Sequence, residues 1–231
     1  ASGMSNNSVA AASETASTFM RSQFFSARGD LDTDLERKPM LAFDADFLRW
    51  MLSDGAGAAF LSNKQNEKGF SLRVDWIENI SYAGQLDTCQ YGGGVKNPDG
   101  SMVGWRDTES INPQQMKHIM AVKQDIKHLD KWIVKTAIDR ALVRVIDKHH
   151  LKPEDIDWYL PHYSSGYFRD KFYDRMKEIG FEIPYEKWFT NLYTKGNTGS
   201  AAIYIIIEEI FKSDRLQKGQ KLLCFIPESG R

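Results

Sequence analysis

The amino-acid sequence predicts an α/β fold, because strand and helix patterns alternate along its second half. Short apolar segments at 157–162, 189–193 and 222–226 have the length and composition of buried strands. An amphipathic helix pattern at 167–179 and an apolar one at 201–211 separate them. Strands that alternate with helices pair in parallel through right-handed crossovers, so these segments predict a parallel sheet covered by helices.

The apolar helix is the element around which we expect the chain to be organised. From Ala201 to Phe211 apolar residues occupy nearly every side of the helix, and a helix of that kind is buried. The turn that precedes it, Gly196-Asn197-Thr198-Gly199-Ser200, therefore brings polar side chains and unpaired N–H groups into the protein. Asn197 either caps a core helix or meets a ligand there.

A histidine follows the first predicted strand, Asp157-Trp158-Tyr159-Leu160-Pro161, at its carboxyl end. Ligands of α/β proteins bind at the carboxyl ends of the strands, which favours His162 as a site residue. Its apolar surroundings favour the neutral imidazole, since burial disfavours the charged form. The alternative is a core histidine bonded to a backbone carbonyl.

The first part of the chain contains weaker strand signals. Small residues at 8–12 and apolar residues at 57–61 predict two strands, and alternation at 70–76 predicts a half-exposed one. The glycines of Asp54-Gly55-Ala56-Gly57 suit a tight turn with close backbone approach between two strands. From 113 to 150 the pattern is helical, as one helix or two.

Composition excludes several classes of function. The 231 residues carry 30 basic and 31 acidic side chains, and this balance gives no bulk attraction to nucleic acid. No apolar run approaches the roughly 20 residues that cross a bilayer, and no signal-peptide pattern begins the sequence. Two cysteines are too few for a disulfide framework, and none lies in a cluster with zinc spacing. We expect a globular cytoplasmic protein without a metal.

Neither cysteine has the setting of an activated nucleophile. Cys89 lies in a predicted loop with no helix start behind it, and Cys224 lies in a predicted strand. A reactive thiol needs a helix N-terminus or a cationic neighbour, so both are expected to be structural. Four further histidines are expected to be solvated and to have no catalytic role: His118, His128, His149 and His150.

Three motifs, in order, resemble the β-ketoacyl-acyl-carrier-protein synthase III family of thiolase-fold condensing enzymes. The family's G-D-G-A-G-A-A is similar to Ser53-Asp54-Gly55-Ala56-Gly57-Ala58-Ala59. Its P-H-Q-A-N stands here as Pro161-His162-Tyr163-Ser164-Ser165, and its G-N-T-S-A-A as Gly196-Asn197-Thr198-Gly199-Ser200-Ala201. The resemblance covers nearly the whole chain, and three motifs with compatible spacing are more specific than any one.

The resemblance implies a thiolase-like fold with two pseudo-duplicated βαβαβ-type halves, mixed sheets and buried central helices. Residues 1–105 would be the remainder of the N-terminal half, with an exposed charged insertion at 27–39. A connecting loop at 81–105, within an irregular stretch that continues to 111, would join the halves and border the substrate entrance. Residues 106–231 would form the C-terminal half.

The same resemblance leads us to expect that the first half is incomplete. Ser2-Gly3 aligns with the end of the helix that carries the family's catalytic cysteine, so the nucleophile is expected before Ala1 and one last strand after Arg231. The chain alone is then expected to be inactive.

The resemblance implies an acyltransferase that performs a decarboxylative Claisen condensation in fatty-acid or polyketide-type biosynthesis. A cysteine thiolate would take an acyl group from a thioester, and a malonyl thioester would lose carbon dioxide to give an enolate that attacks it. His162 and Asn197 would donate hydrogen bonds to the enolate oxygen. Ser165, Gly196 and Gly230 would bind substrate.

The implied substrates are acyl-CoA and malonyl-CoA or malonyl-acyl carrier protein, with no separate cofactor. The implied partners are acyl carrier protein and a second copy in a homodimer, without nucleic acid or membrane. Ser165 replaces the family's asparagine and Glu228-Ser229-Gly230-Arg231 replaces its G-G-G-F, which indicates altered acyl specificity. The alternatives are acyl transfer to an amine or hydroxyl without decarboxylation, and a non-catalytic partner subunit of a synthase.

Overall fold

The computed structural model of the chain describes residues 5–21, 47–108, 112, 116 and 119–229. The strands are β1 (Asn7–Glu14), β2 (Gly55–Ser62), β3 (Gln90–Tyr91), β4 (Gly94–Lys96), β5 (Met102–Gly104), β6 (Lys123–Gln124), β7 (Trp158–Pro161) and β8 (Leu222–Phe225). The α-helices are α1 (Ala16–Phe19), α2 (Ile126–Val134), α3 (Val143–His149), α4 (Tyr167–Glu178), α5 (Leu192–Lys195) and α6 (Ala202–Lys212). The predicted insertion at 27–39 lies outside the described residues.

Strands β7 and β8 pair in parallel, as the alternation of strands and helices predicts. Trp158 is opposite Leu222 and Pro161 is opposite Phe225. Tyr159 and Leu160 are fully buried between the helices that cover the pair. Among the described residues, no helix has the length and apolar composition to cross a membrane.

The strand predicted at 189–193 is wrong, because only one residue beside it pairs with the sheet. Trp188 makes a single parallel bridge to Tyr159, and the N–H of Phe189 donates to the Tyr159 carbonyl at 2.9 Å. The Asn191 carbonyl then accepts from the N–H of Lys195 at 2.8 Å, which closes a helical turn. Local turn bonds at Asn191 thus replace the ladder and begin α5.

Helix α4 confirms the prediction for 167–179. Phe168, Phe172 and Met176 recur at every fourth position and are buried on one face of the helix. This face packs in the main core, the larger cluster of buried apolar residues, which also contains Tyr159 and Trp188. Gly180 follows with φ of 78°, a left-handed conformation that ends the helix.

Within the described residues, a short strand interrupts the helical pattern predicted from 113 to 150, and a continuous helix begins at Ile126. Lys123 and Gln124 pair with β3, and the Asp125 carboxylate then caps α2 by accepting from the N–H of His128 at 2.9 Å. A π-helical segment, Lys135–Leu142, joins α2 to α3 without a break. Ile138 and Leu142 in this segment are buried in the main core.

The predicted strand at 70–76 is wrong as well, since this segment joins no sheet in the described structure. Side-chain contacts hold the segment instead. The rings of Trp76 and His149 stack with 4.1 Å between their centroids, and Glu78 Oε1 lies 2.8 Å from His149 Nε2. His149 is therefore partly buried rather than solvated as expected. His128 and His150 lie on α2 and at the end of α3, and His118 is outside the described residues.

Strands β1 and β2 confirm the predictions for 8–12 and 57–61 and form an antiparallel pair from Asn7–Ser62 to Glu14–Gly55. The glycine motif is not the predicted tight turn, because Gly55 and Gly57 lie inside β2. A Cβ atom added at Gly57 would lie 2.3 Å from the Tyr204 Cβ, and one at Gly55 would lie 2.8 Å from the Thr198 Cβ. The close approach is thus between β2 and the start of α6.

We expect Gly57→Ala to destabilise the protein by about 1–3 kcal/mol, the usual cost of overpacking a filled interior. The new methyl group would meet the Tyr204 Cβ, which cannot move without its helix. Gly84→Ala is the matched control, since its methyl group meets no atom within 4 Å. Urea unfolding of the protein made from its complete gene measures both, and equal midpoints would contradict the proposed packing.

Candidate active site

Strand pairing fixes the position of His162. Its N–H donates to the Phe225 carbonyl at 2.8 Å, which extends the β7–β8 ladder by one residue beyond Pro161. The residue is 4% exposed. Burial lowers the pKa of His162 to about 4, so the ring is neutral at pH 7 and carries one N–H donor.

Asn197 is held in the turn before α6 by its own backbone. Its carbonyl accepts from the N–H of Ser53 at 2.7 Å, and its N–H donates to the Met51 carbonyl at 3.3 Å. The side-chain Oδ1 accepts from the N–H of Gly199 at 3.0 Å. With the acceptor end of the amide occupied in this way, the donor end, Nδ2, remains for another partner, and the residue is 6% exposed.

Gly196 keeps the turn against the segment before β2. Its φ of 75° favours glycine, and a Cβ there would lie 2.1 Å from the Ser53 Oγ. The motif at 196–201 therefore lies directly on the motif at 53–59. The substrate-binding role of Gly196 remains a prediction beside this structural one.

Two glutamates lie at these two motifs, Glu14 at the start of α6 and Glu228 beside His162. Glu14 Oε1 accepts from the N–H of Ser200 at 3.2 Å, where a carboxylate is favourable beside the exposed N–H groups of a helix start. Glu228 Oε1 lies 3.4 Å from His162 Nε2, and the charges of the two glutamates repel each other. Glu14 therefore acts electrostatically on the carboxyl group that lies beside His162.

The protonation of Glu228 is unusual for a glutamate. Although half of its side chain is exposed, the surrounding protein removes water from the carboxyl group, and this burial raises its pKa. The negative charge of Glu14 raises the pKa further, to about 7. Glu228 is therefore partly protonated at neutral pH beside a neutral histidine.

Glu14 and Glu228 are not among the site residues predicted from the sequence. The replacement of the family's G-G-G-F at Glu228 is the available signal, and by itself it predicts only altered acyl specificity. Glu14 gives no comparable signal, because nothing in the sequence indicates that the end of β1 meets the Ser200 N–H.

The other two predicted substrate-binding residues are not brought to this cluster by any described contact. Ser165 Oγ accepts from the N–H of Tyr167 at 3.1 Å and so supports the start of α4. Gly230 lies outside the described residues. Its neighbour Ser229 is approached by Gln124 Nε2 at 3.4 Å.

The cysteines have the properties of structural thiols. Burial raises the pKa of both Cys89 and Cys224 to about 11. Cys89 Sγ accepts from Gln124 Nε2 at 3.0 Å, and Cys224 lies within β8. Within the described part of the chain, no group of three His, Cys, Asp or Glu residues could hold a metal ion.

Comparison with known proteins supports the predicted resemblance at the level of sequence. Residues 146–226 match the family described as 3-oxoacyl-[acyl-carrier-protein (ACP)] synthase III C terminal. Beta-ketoacyl-[acyl-carrier-protein] synthase III of Prochlorococcus marinus (strain NATL2A) is 29% identical over 174 residues, which cover 75% of this chain and 46% of that protein. The chain thus spans about half the length of the curated relatives it matches.

Solved structures support the fold. A protein named AbyA1, a tetronic acid condensing enzyme, superposes with a TM-score of 0.62 at 16% identity, over 99% of this chain and 55% of that one. The 3-oxoacyl-(acyl carrier protein) synthase III of Pseudomonas aeruginosa PAO1 superposes with a TM-score of 0.57 at 17% identity. The superposition covers 99% of this chain and 56% of that one. The predicted thiolase-like fold and the resemblance to β-ketoacyl-acyl-carrier-protein synthase III are confirmed.

We expect the imidazole of His162 to stay neutral from pH 8 down to pH 5, because burial lowers its pKa to about 4. An unperturbed histidine gains its proton near pH 6.5. The ¹⁵N shifts of the ring nitrogens, assigned by their loss in His162→Gln, measure this directly. Formation of an imidazolium at pH 6 would contradict the neutral donor.

Proposed function

We propose that this protein, which resembles β-ketoacyl-acyl-carrier-protein synthase III in sequence and fold, condenses an acyl thioester with a malonyl thioester with loss of carbon dioxide. The observation that carries the proposal is the pair of buried amide and imidazole groups, Asn197 and neutral His162, in the two matching motifs. Decarboxylation places negative charge on the thioester oxygen, and N–H donors in a water-poor site stabilise that charge.

The neutrality of His162 suits this role. A neutral imidazole presents one N–H to the oxygen and has no tendency to lose that proton at pH 7, so it acts as a fixed donor. Asn197 would add a second donor through Nδ2, since its Oδ1 is occupied by the Gly199 N–H. Neither residue needs to gain or lose a proton as the enolate forms and attacks the acyl group.

We propose that the thiol that carries the acyl group is neither Cys89 nor Cys224. With a pKa of about 11, each is ionised in roughly one molecule in three thousand at pH 7.5. The resemblance implies a cysteine at a helix start for this step. The acyl group would pass from its thioester to that thiolate, and the thiolate that leaves would take up the proton that the cysteine had given up.

We propose the substrates and partners on the same basis: acyl-CoA, malonyl-CoA or malonyl-acyl carrier protein, in the cytoplasm. The names of the matching relatives include the acyl carrier protein, which supports it as a partner. We also propose a homodimer, supported by the exposed pair Val9 and Phe60, which face each other across β1 and β2 and are 66% and 70% exposed. The match of 146–226 to a C-terminal family supports our proposal that residues 106–231 belong to the second half.

A second candidate function is acyl transfer to an amine or hydroxyl without decarboxylation. The carboxylate of Glu228, 3.4 Å from His162 Nε2, favours it, because such an acceptor must lose a proton. A non-catalytic partner subunit remains the third alternative, and the two retained donor residues argue against it.

Asn197→Asp is expected to lower the rate of carbon dioxide release by about 100- to 1,000-fold, the typical effect of losing one oxyanion donor. The aspartate keeps an acceptor for the Gly199 N–H and removes the Nδ2 donors. His162→Ala should have an effect of similar size. Asn63→Ala, which removes an exposed pair with Asn6, is the control and should leave the rate unchanged.

The assay uses the protein from its complete gene with acyl-CoA and carboxyl-labelled malonyl thioester. An acylated amine or alcohol without labelled carbon dioxide would overturn condensation in favour of acyl transfer. Absence of both products would favour a non-catalytic subunit.

Peptide mass mapping after incubation with an acyl thioester at pH 7.5 should find no acyl group on either Cys89 or Cys224, because both thiols are protonated there. A stable adduct on one of these two cysteines would refute this part of the mechanism.

A further inference from the structure

The Glu228 side chain lies beside Nε2 of His162, the ring atom that we expect to face the substrate. Glu228 Oε1 lies 3.4 Å from Nε2, and the imidazole itself is 5% exposed. With the ring proton on Nε2, an ionised carboxylate at this distance would compete with the thioester oxygen for that N–H. It also places a negative charge beside the developing enolate, which opposes the formation of that charge.

We propose that Glu228 is a positioning residue that controls access to the His162 N–H, and that condensation requires its carboxyl group to be uncharged. This inference rests on the proposed condensation. It concerns a residue for which the resembling family has a glycine of G-G-G-F, so the control would be particular to this chain.

The position of Glu228 allows such control. It lies three residues beyond β8, and 51% of its side chain is exposed, so an uncharged carboxyl can turn towards water and leave Nε2 to the substrate. The ionised form would instead be held near Nε2 by the ring N–H. The exchange of one proton thus decides which acceptor His162 meets.

The charged surroundings set the pH at which this exchange occurs. Among the described residues, Glu14 at the end of β1 is the charged group that acts on Glu228, while His162 after β7 is neutral. The next residue, Ser229, is approached by the uncharged Gln124. Burial and the charge of Glu14 raise the pKa of Glu228 to about 7, so both forms are populated near neutral pH.

The sign of the pH dependence follows from these groups. Below pH 7 Glu228 is protonated and the donor is available, whereas above pH 7 the carboxylate forms and blocks it. The kcat/KM for carbon dioxide release should therefore fall about tenfold per pH unit above 7. A general base would give the opposite slope, with the rate rising through the same range.

The experiment measures kcat/KM for carbon dioxide release from pH 6 to 9 in the protein from its complete gene, with the acyl-enzyme formed beforehand. Glu228→Gln, an uncharged isostere, should abolish the alkaline decrease and be about 100-fold faster than the natural protein at pH 9. Glu14→Gln should move the decrease to lower pH, because it removes the charge that raises the pKa of Glu228. Glu67→Gln, an exposed carboxylate, is the matched control and should keep the natural profile.

A rate that rises with pH, or one that Glu228→Gln lowers at every pH, would overturn the inference and identify Glu228 as a proton acceptor. If no variant releases carbon dioxide, the proposed condensation fails, and the ring nitrogens of His162 then test Glu228 by themselves. Their ¹⁵N shifts should change slightly near pH 7, while the ring stays neutral, and this change should be absent in Glu228→Gln. An identical response in both proteins would overturn the contact.

Discussion

The close contact between β2 and the start of α6 is the constraint on which the candidate site depends. Gly55 and Gly57 have no Cβ, so Thr198 and Tyr204 can approach the strand within distances that any other residue would prevent. This approach lets the Asn197 backbone bond to Met51 and Ser53. The polar turn is thereby fixed inside the protein, and the Asn197 Oδ1 accepts from the Gly199 N–H.

The parallel pair β7–β8 positions His162, the other candidate donor of the site. Because the ladder continues to the His162 N–H, the same pairing that buries Tyr159 and Leu160 also buries the imidazole and keeps it neutral. The chain beyond β8 brings Glu228 to that ring. A buried uncharged donor and a half-exposed carboxyl group near its pKa therefore meet at one strand end, where a single proton changes the chemistry.

Much of this arrangement was predictable because its signals are local. Periodicity located α4, the apolar pattern located α6, and short apolar runs located β7 and β8. The strand predictions are wrong at two segments. At 189–193, hydrogen bonds of a turn at Asn191 replace pairing with β7, and at 70–76 the alternating segment has no neighbouring strand in the described structure. In both segments the side-chain pattern was compatible with a strand, and the absence of backbone partners decided otherwise.

The sequence by itself determined the order β7, α4, α6 and β8 in the second half, the three motifs and the choice of His162 and Asn197 as candidates. Only the tertiary structure decided that Gly55 and Gly57 face α6, that Glu14 meets the Ser200 N–H and that Glu228 meets His162. The physical reason is the range of the interaction. Periodicity and turn chemistry act over a few residues, whereas these contacts join residues that lie 66 to 186 positions apart and depend on how the finished layers pack.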